Sequence, residues 1–113
     1  MTPDRRWKAV ERSVAEKLGG ERVPVTGRQR GSAPDVSHGT LSIEVKDRKA
    51  LPRWISEAME QAIASQRENQ IPIVVLHERG MRANDNLVMI RLGDWVDLFG
   101  NWRVSSETTE GLK

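Results

Sequence analysis

The 113-residue chain predicts an α/β domain with a mixed central β-sheet flanked by helices, in the order α-β-β-β-α-β-β-α. Three observations carry that expectation. Two segments, 3–18 and 52–67, repeat apolar or small residues at helical spacing. Short alternating or wholly apolar runs lie at 22–26, 35–37, 41–47, 73–76 and 87–91. Glycine, proline and asparagine punctuate the joints between them. A single domain over 1–103 follows, because a chain of this length supports one core; residues 104–113, polar and without period, read as a disordered tail.

The first helix begins at Pro3 and stops at Gly19-Gly20, with Trp7, Val10, Val14 and Leu18 as its apolar stripe. Arg5, Arg12 and Glu16 fall opposite, while Glu11 lands beside Leu18 at the stripe's margin, where a carboxylate is partly desolvated. Arg22–Thr26 reads as a short strand that Pro24 confines to an edge. The stretch Gly27–Pro34 reads as a basic loop with two glycines. Asp35–Ser37 and Leu41–Asp47 read as a hairpin across the turn His38-Gly39-Thr40. In its second strand Leu41, Ile43 and Val45 face one way, and Ser42, Glu44 and Lys46 the other. Pro52 suits the first position of the second helix, whose packing face is Trp54, Ile55, Ala58, Ala62 and Ser65. Ile73–Leu76, continuously apolar, reads as a buried central strand. After a loop over 78–86, Leu87–Arg91 is the next strand, and Asp94 suits the cap of a last helix, Trp95–Phe99.

The composition excludes several classes. No apolar run approaches the ~18 residues of a membrane span, and no apolar stretch follows the charged N-terminus as in a secretory leader. There is no cysteine, hence neither a disulfide framework nor a thiolate zinc site. An intracellular, cytoplasmic setting is expected. The formal charge of +2 conceals an asymmetry. Residues 1–53 hold 12 Lys and Arg against 7 Asp and Glu, whereas 54–113 hold 6 against 9. The basic half is therefore the half that carries the chemistry below, which favours a polyanionic partner.

The hairpin lets Asp35 approach Glu44 across the strand pair, and Glu44 and Lys46 share a face about 7 Å apart. Two close carboxylates repel unless a cation lies between them, and Mg²⁺ (or Mn²⁺) is the hard ion that takes oxygen donors while keeping its waters. Asp35, Glu44 and the Val45 backbone carbonyl are the expected ligands, with Glu11 adding a further carboxylate. Such an ion activates a water beside a phosphodiester, and Lys46 stabilises the charge that develops. A phosphate-cradling Gly-x-x-x-x-Gly-Lys-Ser/Thr motif is absent, so no nucleotide cofactor is expected.

Pro34-Asp35 followed by Glu44-Val45-Lys46 resembles the PD-(D/E)-x-K nuclease signature of the restriction-endonuclease-like fold. With Glu11-Arg12 on a preceding helix, the loop Thr26–Ser32, and Gln61-Ala62 on a following helix, the order over residues 5–99 is similar to that of archaeal-type Holliday junction resolvases and their phage relatives. The resemblance implies a catalytic set of Glu11, Asp35, Glu44 and Lys46. It also implies a homodimer that nicks four-way DNA junctions symmetrically in recombination and repair, with Mg²⁺ or Mn²⁺. Thr26 or Ser32 matches the loop hydroxyl near the scissile phosphate. Arg28 and Arg30 suit a clamp on backbone phosphates, continued by Arg48, Lys49 and Arg53; Gln61 suits positioning of water or DNA.

Plainer readings stand beside these. Glu11 could be a solvated helix acid, Asp35 a turn former after proline, and Glu44 and Lys46 a solvent-facing strand pair. Trp7 and Trp54 suit a core better than a base-stacking platform, and His38 and His77 suit structural roles. The competing functions are another nuclease of this fold (VRR-NUC-like, repair or restriction type) and a DNA-binding module without catalysis.

Overall fold

A computed structural model of the chain describes residues 3–24 and 34–99, with side chains from residue 6 onward. The expected loop with Thr26, Arg28, Arg30 and Ser32, the end of the first strand, and the tail 104–113 lie outside the described residues. What is described is mixed α/β, with three helices and two small antiparallel sheets. It forms two compact units, one of residues up to Arg48 together with Phe99, the other Lys49–Leu98.

In the first unit, α1 spans Pro3–Leu18. Its end follows from the two glycines. Gly19 adopts φ 77°, a conformation cheap only without a Cβ. The N–H of Gly20 then returns to Ala15 O at 2.8 Å and that of Gly19 to Glu16 O at 3.4 Å, so two terminal carbonyls are satisfied. Gly20 has a separate task. A Cβ there would overlap the Ser37 carbonyl oxygen and come within 2.9 Å of Val36 Cγ1. The missing side chain is what lets the chain return against its neighbour.

That neighbour pair is β1 (Glu21–Arg22) and β2 (Val36–Ser37), antiparallel, with Glu21 opposite Ser37 and Arg22 opposite Val36. Both pack on α1. Ala15, Val36 and Ile43 are buried at the centre, with Val14, Leu18, Leu41 and Val45 packed around them. The expected stripe thus supplies Val14 and Leu18, but the innermost helix residue is Ala15, whose small side chain lets the strands approach. Glu11, one turn before it, is 3 % exposed.

His38 fixes the turn after β2. Its Nε2–H donates to Leu18 O at 3.0 Å, and its Nδ1 accepts from the N–H groups of Thr40 (2.9 Å) and Leu41 (3.1 Å). Those partners require the proton on Nε2. The structural reading of His38 is the one the geometry supports.

Residues 41–47 return antiparallel but do not form the regular strand that the alternation predicts. Among the described residues they make one bridge, Val36 to Ile43, and one further main-chain bond, Asp35 N–H to Ile43 O at 3.1 Å. Pro34 has no N–H to offer, and the Asp35 side chain takes the Val45 N–H in place of a main-chain carbonyl. The face alternation nevertheless holds: Leu41, Ile43 and Val45 are buried or half-buried, while Ser42, Glu44 and Lys46 are exposed.

In the second unit, α2 runs Arg53–Ser65. Pro52 is the residue before the helix, not its first, and its carbonyl accepts the N–H of Ile55 at 3.0 Å. Ile55, Ala58, Met59, Ala62 and Ile63 are half-buried. Trp54 and Ser65, expected on the packing face, are exposed, because helical rotation puts Met59 and Ile63 there instead. Strands β3 (Ile73–Leu76) and β4 (Leu87–Ile90) pair antiparallel from Ile73–Ile90 to Leu76–Leu87. The expectation of a buried central strand is corrected: Ile73 is 46 % and Val75 54 % exposed, and among the described residues the sheet has two strands. A single mixed central sheet is likewise not what the described residues form, since every pair is antiparallel and local. The last helix, α3, spans Leu92–Phe99. The helix begins two residues before Asp94, which therefore lies within its first turn and not at its cap as expected, and accepts from Arg91 Nε at 2.8 Å. No helix among the described residues is long and apolar enough to cross a membrane.

Candidate active site

The two halves of the acidic motif meet in one hydrogen bond. The Val45 N–H donates to Asp35 Oδ2 at 2.6 Å, a short charge-assisted bond. Asp35, 8 % exposed, is thereby docked on the main chain between Glu44 and Lys46. Glu44 and Lys46 project to the exposed side of that segment.

Above the same segment lies a cleft of about 360 Å³, walled by Arg6, Trp7 and Glu11 from α1 and by Val45, Lys46, Asp47 and Arg48. Three cationic side chains face two acidic ones there, a balance that favours an anion. Of the expected catalytic set, the cleft brings together Glu11 and Lys46; Asp35 and Glu44 are not among its walls.

Glu11 is engaged. Arg22 Nε donates to its Oε1 at 2.9 Å, and both side chains are largely withdrawn from water, at 4 % and 13 % exposure. The Arg22 guanidinium also lies 5.3 Å from the centroid of the Trp7 ring, with Lys8 Nζ at 5.8 Å, within cation–π range. Arg22 Nη2 is buried and has no hydrogen-bond partner among the described residues.

The donor set fits a hard divalent cation in part. Asp35, Glu44 and the Val45 carbonyl are oxygen donors of the type Mg²⁺ takes. Among the described residues, however, no three His, Asp or Glu converge to hold an ion. Glu11 is paired with a guanidinium and Glu44 is exposed.

The remaining expected contacts divide. Arg48 walls the cleft. Lys49, Arg53 and Gln61 belong to the second unit, where all three are exposed and Arg53 Nε is tied to Glu57 Oε1 at 2.8 Å. His77 Nδ1 lies 2.7 Å from Asn86 Oδ1 beside the β3–β4 pair, a structural link. Arg6, Arg22 and Asp47 were not expected at the site. Arg6 lies five residues before Glu11, about 140° away around α1, so periodicity does not group the two; Trp7, one turn before Glu11, does share its flank. Arg22 carried no sequence signal, since only the antiparallel pairing of β1 with β2 brings it beneath α1. No protein-family model, no curated protein and no solved structure matches the chain.

Proposed function

We propose that the protein is a divalent-cation-dependent DNA endonuclease of the restriction-endonuclease-like type, acting as a homodimer that resolves four-way junctions by paired symmetric nicks. The observation that carries this reading is the Asp35–Val45 hydrogen bond. It ties the two parts of the Pro-Asp…Glu-x-Lys pattern together across a turn, as a shared reaction centre requires. The cleft over the same segment supports it, because its cationic excess suits a phosphodiester. Asp35, Glu44 and the Val45 carbonyl would hold the cation, which supplies a water of lowered pKa and neutralises phosphoryl charge. Lys46 stabilises negative charge on the reacting phosphate, and Arg6 and Arg48 bind the backbone on either side.

Four-way junctions, linear duplexes, flaps and single strands, offered at equal concentration with Mg²⁺, test the substrate. Paired nicks near the branch point are expected; a preference for flaps or single strands moves the protein to another nuclease class. Chelation is expected to abolish cutting. Asp35→Ala and Glu44→Ala should lower cleavage at least about 10³-fold, the order expected when a principal charge-stabilising group is removed, while DNA binding persists. A second reading, a DNA-binding module without catalysis, is favoured by the lack of a converging three-acid group among the described residues. Binding without cutting in either Mg²⁺ or Mn²⁺ would select it.

A further inference from the structure

We infer that one flank of α1, carrying Arg6, Ser13 and Lys17, is a track for the phosphate backbone of duplex DNA that continues the cleft along the helix. The inference rests on the nuclease reading for the identity of the polyanion.

Three observations converge. The first is placement. At about 100° and 1.5 Å per residue, Lys17 stands about 20° round from Arg6 and about 16 Å further along the axis, with Ser13 between them. All three are exposed. Arg12, also exposed, lies on another side, about 120° round from Arg6.

The second is the state of the charges. Among the described residues neither Arg6 nor Lys17 is paired with a carboxylate. The sequence arranges this. Helix positions three and four residues away hold Pro3, Ala9 and Val10 for Arg6, and Ser13 and Val14 for Lys17, so no acid is in reach along the helix. The second unit does the reverse. There Arg53, Arg82 and Arg91 are each tied to an acid three or four residues on, Glu57, Asp85 and Asp94. Its arginines are neutralised within the chain, whereas the flank of α1 keeps its charge for an outside partner.

The third is continuity. Arg6 is also a wall of the cleft, together with Lys46 and Arg48, so the track starts where the reacting phosphate is proposed to bind. Duplex DNA advances about 3.4 Å per base pair, and the track therefore spans about five of them. A straight row of cations on a helix matches a stiff rod of phosphates without ordering either one, whereas a flexible single strand loses conformational entropy to follow it. Lys17 and Arg6 then bind phosphates by charge, and the Ser13 hydroxyl donates to one between them. A plainer role for Lys17, complementing the dipole in the last turn of α1, touches stability and not DNA.

The test uses the full chain in chelator, with a labelled duplex and one of its single strands followed by fluorescence anisotropy. Lys17→Ala should weaken duplex binding about eightfold at about 0.1 M salt and make the salt slope shallower by about 0.9, the share of one phosphate contact. Ser13→Glu sets a carboxylate in the middle of the track and within reach of Lys17, and should lose at least as much. Arg12→Ala, off the track, should stay within about twofold of the wild type, since it forfeits no phosphate contact. Thermal melts report folding; should Lys17→Ala not fold, Lys17→Gln takes its place. The inference is overturned if folded Lys17 or Ser13 variants bind duplex as the wild type does. An equal loss in Arg12→Ala overturns it as well, because bulk charge alone would then explain the effect. A Lys17 loss as large on the single strand overturns the assignment to duplex, and a wild type that does not bind duplex overturns the whole. Failure of the nuclease reading shows separately, as a wild type that binds duplex and never cuts it.

Discussion

The imidazole of His38 uses both of its nitrogens, one to close the end of α1 and one to gather two N–H groups of the following turn. Replacing it with alanine leaves a helix carbonyl and a half-buried turn without those partners. His38→Ala is therefore expected to lower stability by about 2–3 kcal/mol in a urea titration, with little change in α1 helicity by circular dichroism. An unchanged midpoint would show that water replaces the ring. The sequence reveals only that His38 lacks a metal-ligand partner; that it reaches Leu18, twenty residues away, is a property of the fold. Glu11 shows the same limit from the other side. Its place at the apolar margin is legible from periodicity, whereas its partner Arg22 is visible only once β1 has turned back under the helix.

Among the elements, the helices were the most legible. α1 matches its expected span, and α2 falls one or two residues inside its own, because proline and glycine stops act locally and need no tertiary context. The paired glycines illustrate where local reading ends. Both read as a helix stop, yet Gly19 supplies a positive φ while Gly20 supplies empty space for the Ser37 carbonyl. Gly20→Ala should cost about 1–3 kcal/mol, the usual penalty for forcing atoms into a filled site, and should loosen β1 from β2. Chemical denaturation checks the first, and faster exchange of the Arg22 amide hydrogen the second. The strands were less legible. The alternation at 41–47 gave the correct faces but not the broken ladder, since a side-chain acceptor on Asp35 interrupts main-chain pairing. At 73–76 the uninterrupted apolar run implied cover on both faces, while Ile73 and Val75 are half exposed in a two-stranded sheet; hydrophobicity states what a strand tolerates, not how many neighbours it has.

For the whole molecule, charge is the property that sequence and structure describe in the same terms. The basic bias of residues 1–53 becomes, in the first unit, a cleft with Arg6, Lys46 and Arg48 on its walls. On the proposed DNA reading, three such contacts to duplex phosphates predict a slope of about −2.7 from the cleft alone in log affinity against log salt, at about 0.9 per neutralised phosphate. Arg48→Ala should reduce its magnitude by about 1 and weaken every duplex sequence alike. Anisotropy titrations across a salt series measure both, and a sequence-dependent loss would mean that Arg48 reads bases instead. The acidic pattern was legible as a motif, but the gathering of its members was not. A spacing of nine residues between Asp35 and Glu44 allows a meeting; the turn and the Val45 bond bring Asp35 to the main chain beside Glu44, whose side chain is exposed.

That bond also has a bearing on fidelity of folding. Few main-chain pairs among the described residues hold 41–47, and a slide of one position, which the burial of Ile43 already opposes, would turn Glu44 and Lys46 inward and Val45 out. The carboxylate of Asp35 works as a peg that admits a single alignment. Its removal should leave a mixture of frames, seen as doubled amide resonances across 41–47 in Asp35→Ala and a single set in Asp35→Asn, whose amide oxygen still accepts.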